Sequence, residues 1–308
     1  MNNPLITILG PTATGKTKLA ALLADRINAE IISADSRQVY CRMDIGTGKD
    51  LADYCIGEKT IPYYLIDIVA PGTEYNVFQY QQAAVKIIRD IQLRNKNRIL
   101  CGGSGMYIEA LLKGYKLFPV PQNEALRKEL ETKSDDELEA CLAGFRKLHN
   151  KTDTENRSRL LRALEIEFYY QEHPDLQEIS HPITSIIFGL RGNRDLIRKR
   201  ITERLEERLS NGMIGEVEQL IADGTDPKQL IRYGLEYKFI TLYILGEIDY
   251  ETMFSRLNIS IHQFSKRQMT WFRKMEREGF HIHWLDINLP DQDKLSLIEQ
   301  TVKKNLKT

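Results

Sequence analysis

Eight residues near the amino end, Gly10, Pro11, Thr12, Ala13, Thr14, Gly15, Lys16 and Thr17, have the types and spacing of a loop that wraps a phosphate. The two glycines open backbone conformations closed to other residues, so successive N–H groups can turn inward on an anion. Lys16 adds a mobile ammonium, Thr17 a hydroxyl of the kind that ligates Mg2+, and the start of a following helix a partial positive charge. A second stretch, Asp35-Ser36-Arg37-Gln38-Val39-Tyr40, supplies a carboxylate. Asp35 can act as a general base or hold a metal's water shell, or it can cap a turn. A third stretch, Gly102-Gly103-Ser104-Gly105-Met106-Tyr107, is again glycine-rich, with the Ser104 hydroxyl expected at a helix cap.

Each stretch follows a short apolar run, at residues 5–9, 30–34 and 98–101. Such runs read as buried strands, and in open parallel α/β sheets ligands gather beyond the carboxyl ends of the strands. Further strands are expected at 63–69, 185–190 and 282–285. Helices are expected at 18–27, 78–93, 195–209, 213–221, up to 245, at 250–275, and at the carboxyl end. Residues 45–49 read as a flexible polar loop at the same sheet edge. From 123 to about 173 the pattern is helical with no strand, opening one helix on the capping box Ser134-Asp135-Asp136-Glu137. The expected fold is therefore α/β. A P-loop NTPase-like parallel sheet core (1–120 and 184–308) carries an inserted all-helical domain at 121–183.

Basic and acidic residues balance, 43 against 43, which removes bulk positive charge as an argument for nucleic acid. The distribution is uneven, with seven Lys/Arg between Arg191 and Arg208 and a second group from Arg256 to Arg277. In that second group Lys266 and Arg267, with Phe264, Trp271 and Phe272, form either a basic stacking surface for RNA or part of the core. No apolar run is long enough to span a membrane and no signal-peptide pattern precedes residue 5, so a cytoplasmic protein is expected. The cysteines Cys41, Cys55, Cys101 and Cys141 lack metal spacing and read as reduced thiols; the histidines show no zinc spacing.

Taken in order, the motifs resemble those of the bacterial tRNA dimethylallyltransferases, also called tRNA isopentenyltransferases. The resemblance rests on residues 10–17, Ser-Ala-Asp-Ser-Arg-Gln-Val-Tyr at 33–40, Met-Asp-Ile-Gly-Thr-Gly-Lys at 43–49 and the 102–107 stretch. It continues through Arg159, Arg162-Ala-Leu-Glu, and Lys-Arg-Gln-Met-Thr-Trp-Phe-Arg at 266–273. It implies transfer of a dimethylallyl group from its diphosphate to the exocyclic amine of the adenosine just 3′ of the anticodon, in tRNAs reading codons that begin with U. It makes Asp35 the general base. It makes residues 10–17, with Mg2+ on Thr17, the binding loop for the isoprenoid diphosphate rather than for a nucleoside triphosphate. Lys16 and Arg232 stabilise the leaving group. Contacts to the tRNA anticodon stem-loop map to Asp35, Ser36, Arg37, Gln38, Ser104, Arg127, Ser158, Arg159, Leu160, Leu161 and Arg162. A monomer is implied.

The chain departs from the family pattern at several places. Ser104 stands where Thr is usual, and Gly48-Lys49-Asp50 where Ala-Lys-Pro is common. After Arg232 comes Tyr-Gly-Leu-Glu-Tyr-Lys-Phe, where most members have Ile-Gly-Tyr-Lys-Glu. Two rivals remain: an ATP-binding small-molecule or nucleoside kinase, which accounts for residues 10–17 alone, and a non-catalytic RNA-binding relative.

Overall fold

The computed structural model describes residues 4–115, 117–145, 154, 156–174 and 182–306. The chain divides into two compact units, Met1–Gly114 with Pro182–Thr308, and Tyr115–His181. The first unit begins β1 (Leu5–Leu9), α1 (Lys16–Ile27), β2 (Ala29–Ala34), the short antiparallel pair β3 (Cys55–Ile56) and β4 (Lys59–Thr60), and β5 (Tyr63–Tyr64). It continues through α2 (Val77–Leu93), β6 (Asn97–Gly102) and α3 (Gly105–Lys113). The second unit holds α4 (Glu124–Leu130), α5 (Asp135–Phe145) and α6 (Arg157–Glu172). The first then resumes with β7 (Ser185–Arg191), α7 (Arg194–Ser210), α8 (Met213–Ala222), α9 (Pro227–Leu230) and α10 (Leu235–Ile244). It ends with α11 (Tyr250–Arg277), β8 (Ile282–Asp286) and α12 (Asp291–Asn305).

Six strands form one parallel sheet in the order β5-β2-β6-β1-β7-β8. Helices cover both faces, which is why the strands read as apolar runs rather than alternating ones. Ile6 and Ile8 of β1 pack with Leu19 and Leu23 of α1 and Leu295 and Ile298 of α12. Leu5 and Leu9 face the other way, onto Tyr80, Ile108, Leu111, Phe272 and Met275. Phe272 is wholly buried, so of the three aromatic residues weighed for an RNA surface it belongs to the core, while Phe264 is exposed. A third cluster joins Val39, Tyr40 and Met43 to α7, α8, α10 and the first half of α11.

The strand expected over 63–69 stops at Tyr64. Leu65 and Asp67 take positive φ (64° and 55°), turning the chain out of the sheet so that Asp67 reaches Lys49. The bridge of Tyr40 to Val69 and backbone bonds from the N–H groups of Asp67, Ile68 and Val69 to Gln38 and Val39 C=O keep this segment beside the β2 exit.

In the second unit Leu130, Leu138, Leu142, Leu160, Leu161, Ala163 and Leu164 form a core of its own. The capping box is present: Glu137 N–H donates to Ser134 Oγ at 3.3 Å, and Ser134 N–H to Glu137 Oε2 at 2.7 Å. Among the described residues no helix is long and apolar enough to cross a membrane.

Candidate active site

Gly102 at the end of β6 is in register with Leu9 of β1 on one side and Ala34 of β2 on the other. The three chemistry-bearing stretches therefore leave the sheet at the same level, side by side. The Gly10–Thr17 loop comes off β1, Ser104 off β6 and Asp35 off β2.

The loop turns sharply into α1. Gly15 precedes the helix at φ 78°, ψ 25°, a left-handed conformation that suits glycine, and Ala13 is also left-handed at φ 61°. Thr14 Oγ1 donates to Pro11 C=O at 2.8 Å, and Lys16 Nζ donates to the same oxygen at 3.0 Å. Burial pulls the Lys16 ammonium below its ordinary pKa, and the Asp35 carboxylate opposes that pull. Lys16 and Thr17 face a cavity of about 670 Å3 whose other walls include Asp50, Asp53 and, from α7, Arg200, Arg204 and Arg208. This is the size range of small-ligand sites. Arginines counted in the sequence as part of a basic surface thus include three that line this cavity.

The Asp35 turn is tied down on several sides. Asp35 Oδ1 accepts the Arg37 N–H at 2.9 Å, so the carboxylate does cap its turn, using one oxygen. Ser104 occupies the position before α3, yet its side chain does not cap that helix. Its Oγ accepts the Ser36 N–H at 3.0 Å instead, and its own N–H donates to Ala34 C=O at 3.1 Å. Gln38 Nε2 donates to Gly48 C=O at 3.0 Å. Arg37 is exposed.

Residues 45–49, expected as a flexible loop, are pinned. The Lys49 side chain is fully buried and bonds Tyr40 C=O, Asp44 and Asp67. Glu216 of α8 accepts the N–H groups of Asp44, Ile45 and Gly46 at 2.7, 2.7 and 3.0 Å, and Tyr237 Oη donates to it at 2.6 Å. A buried lysine and a carboxylate caging three amides were invisible in a sequence of polar residues.

Gln268 was missed as a site residue although the sequence held its signal. It lies on the buried, mostly apolar stripe of α11, with Leu257, Ile261, Phe272 and Met275 and a second polar residue, Ser265. Its Oε1 accepts the Thr12 N–H and its Nε2 donates to Gly103 C=O, both at 2.9 Å, joining the two glycine-rich loops.

Arg232 is exposed on the turn after α9 and is not among the cavity's lining residues. Two residues on, Gly234 lies against Arg37: a Cβ there would sit 3.7 Å from Arg37 Nε. The other residues expected at an RNA interface belong to the second unit. Ser158 and Arg159 are exposed. Arg127 forks onto Glu165 at 3.2 and 3.0 Å, and Arg162 bonds the same carboxylate and Val120 C=O. Leu160 and Leu161 are corrected to core residues, 1% and 8% exposed, because they fall on the apolar stripe of α6.

For Mg2+ the donor chemistry fits: Thr17 and the half-open carboxylate Asp50, with Asp53, bring hard oxygen ligands to the loop's cavity. Among the described residues no cluster of three or more His, Cys, Asp or Glu could hold a metal by itself. A metal here would need oxygens from its ligand.

Fold and site together define the class, a P-loop-like α/β protein with a carboxylate turn set level with its glycine-rich loop. Comparison with known proteins narrows this. The family model described as IPP transferase matches residues 38–275. A tRNA dimethylallyltransferase 1 of Parabacteroides distasonis is 55% identical over 303 residues, 98% of each chain. A tRNA dimethylallyltransferase 2 of Bacteroides fragilis is 52% identical over 301 residues, covering 97% of this chain and 98% of that one. The crystal structure of a tRNA isopentenylpyrophosphate transferase from Bacillus halodurans superposes with a TM-score of 0.72 at 30% identity, covering 99% of this chain and 97% of that one. The chain belongs to the IPP transferase family. Nothing in these likenesses supports a small-molecule kinase.

Proposed function

We propose that the protein is a tRNA dimethylallyltransferase. It transfers a dimethylallyl group from dimethylallyl diphosphate to the exocyclic amine of the adenosine 3′-adjacent to the anticodon, in tRNAs reading codons that begin with U. The products are N6-dimethylallyladenosine and diphosphate. The observation that carries this reading is the common register of Leu9, Gly102 and Ala34, which sets an anion-binding loop and a carboxylate at one level of the sheet.

An adenine amine is a weak nucleophile because its lone pair is delocalised into the ring. As its nitrogen bonds the isoprenoid carbon, the carbon–oxygen bond to diphosphate breaks and the amine becomes acidic. Asp35 takes that proton, oriented by the Arg37 N–H on its Oδ1. Lys16 and the loop's N–H groups stabilise charge on the departing diphosphate. Mg2+ held by Thr17 would neutralise charge on the same group. Arg37, Gln38 and Ser104 would contact the RNA beside the base, and Arg127, Ser158, Arg159 and Arg162 would contact the anticodon stem-loop. The protein would work as a cytoplasmic monomer.

The test is direct. Purified protein, radiolabelled dimethylallyl diphosphate, unmodified tRNA and Mg2+ are expected to yield label in RNA. Label that never enters RNA, with ATP turnover on a small acceptor instead, would overturn the reading.

A further inference from the structure

Trp271, the third aromatic residue weighed for an RNA surface, is partly buried against the core cluster that holds Phe272. It follows Gln268 by three residues on α11, so the two side chains share a helical face. That face presses on the Gly103-Ser104-Gly105 segment. A Cβ on Gly103 would sit 2.5 Å from Gln268 Nε2, and one on Gly105 would sit 2.4 Å from Trp271 Cδ1. The indole therefore lies directly on the backbone of the first residue of α3.

The ring serves there as a plate and not as a donor, since its Nε1 is closed to solvent without a hydrogen bond. Lys274 Nζ stands 4.7 Å from the ring centroid, a cation–π distance. That ammonium is held in turn by the fully buried carboxylate of Glu109, at 3.0 and 3.1 Å. Glu109 lies one turn beyond Gly105 on α3. The same short helix thus receives the indole and anchors the cation that stacks on it.

Ser104 stands between the two α11 contacts. Its Oγ accepts the Ser36 N–H at 3.0 Å and donates to Ser36 Oγ at 3.3 Å, next to Asp35. A line of contacts runs from Glu109 through Lys274, Trp271, Gly105 and Ser104 to the carboxylate turn. We propose that Trp271 is a positioning residue for the transfer reaction: pressed on Gly105, it keeps the Ser104 hydroxyl on the Ser36 N–H and so sets where the Asp35 carboxylate stands. The inference rests on the reading of Asp35 as proton acceptor.

Single-turnover transfer from radiolabelled dimethylallyl diphosphate to unmodified tRNA, with both substrates saturating, tests it on the whole protein, beside melting points and donor affinity. Trp271→Leu is expected to lose about 10- to 100-fold in rate through misplacement of the turn, with affinity for dimethylallyl diphosphate nearly unchanged. Gly105→Ala adds one methyl where the ring lies and leaves Trp271 intact. It is expected to slow transfer in the same way, and it guards against a misfolded leucine variant. Trp271→Phe keeps a flat ring and loses only the unpartnered N–H, so it is expected to recover most of the rate. Ser104→Ala should also be slow. Combined with Trp271→Leu it should be no slower than the slower single variant, because both break one link. If the two losses multiply, or if Trp271→Leu lowers the melting point but transfers at the wild-type rate, the indole is only packing and the proposal falls. A wild-type protein that puts no label in tRNA, or an Asp35→Asn variant as fast as wild type, overturns the underlying reading and the inference with it. Transfer lost in Asp35→Asn but kept in Trp271→Leu overturns the inference alone.

Discussion

Gln268 Oε1 accepts the backbone N–H of Thr12 at 2.9 Å, across 256 residues of sequence. Through its amide nitrogen on Gly103 C=O, one side chain fixes the spacing between the β1 loop and the loop that leads to Ser104. The two glycine-rich loops are thereby held against each other. Gln268→Ala leaves two backbone groups without their partner, which costs about 1–3 kcal/mol for each that stays buried. The expected result is a lower melting point and weaker binding of dimethylallyl diphosphate, with tRNA affinity nearly unchanged. Equal loss of both ligands would mean that the bridge is purely structural.

Asp35 caps a turn just beyond the end of β2, and the proposed reaction makes it the base as well. Asparagine keeps an oxygen for the Arg37 N–H but is no base, so Asp35→Asn separates the two roles. It is expected to fold with a melting point near wild type and to lose about 10²–10⁴-fold in single-turnover rate. A near-normal chemical step in this variant would remove Asp35 as the proton acceptor.

Glu165 holds Arg127 and Arg162 from a position 1% exposed. Burial pushes its carboxyl up, but hydrogen bonds from Arg127, the Asn123 N–H and Arg162 outweigh that and hold it below its ordinary 4.5. A carboxyl lowered in the folded state stabilises fully above its unfolded value and loses that stabilisation as pH falls through the folded one. The second unit is therefore expected to loosen as pH drops below about 4.5, read by amide exchange along α6. Glu165→Gln should cost about 3 kcal/mol at neutral pH and flatten that acid dependence. An unchanged acid profile would show that another carboxyl controls it.

If the second unit meets RNA, its positive charges must set the salt dependence, since the whole chain is neutral. Neutralising Arg159 and Arg162 together is expected to weaken tRNA binding and to flatten the log–log salt slope by about one unit for each RNA phosphate left without its arginine. Filter binding across a salt series measures it. No change in affinity or slope would take these residues out of the interface.

The parallel sheet and its three glycine or carboxylate exits were legible because each rests on local signals: an apolar run, then residues with special backbone or side-chain chemistry. The bend after Tyr64 was not, because Leu65 and Asp67 adopt positive φ only where Lys49 waits 18 residues away. Arg204 and Arg208 counted only as members of a basic group, since i and i+4 spacing gives a face but not what that face meets. Leu160 and Leu161 show the opposite error. Their apolar spacing with Leu164 already placed them inside, and the resemblance carried the segment over as a block.

The pairing of β1 has a consequence for the protein's synthesis. β1 lies between β6 and β7, but β6 ends at Gly102 and β7 begins at Ser185, after the second unit. On the ribosome, β5, β2, β6 and β1 can pair as soon as Gly102 emerges, leaving β1 as a bare apolar edge. At cellular elongation rates that edge stays open for on the order of ten seconds, while the second unit, with its own core, is made and folds. Open edges recruit other strands, so chains arrested after Gly114 should be protease-sensitive and bound by chaperones, and chains arrested well past Arg191 should not. The long interruption between neighbours in the sheet gives the newborn protein a period of vulnerability that the finished fold no longer displays.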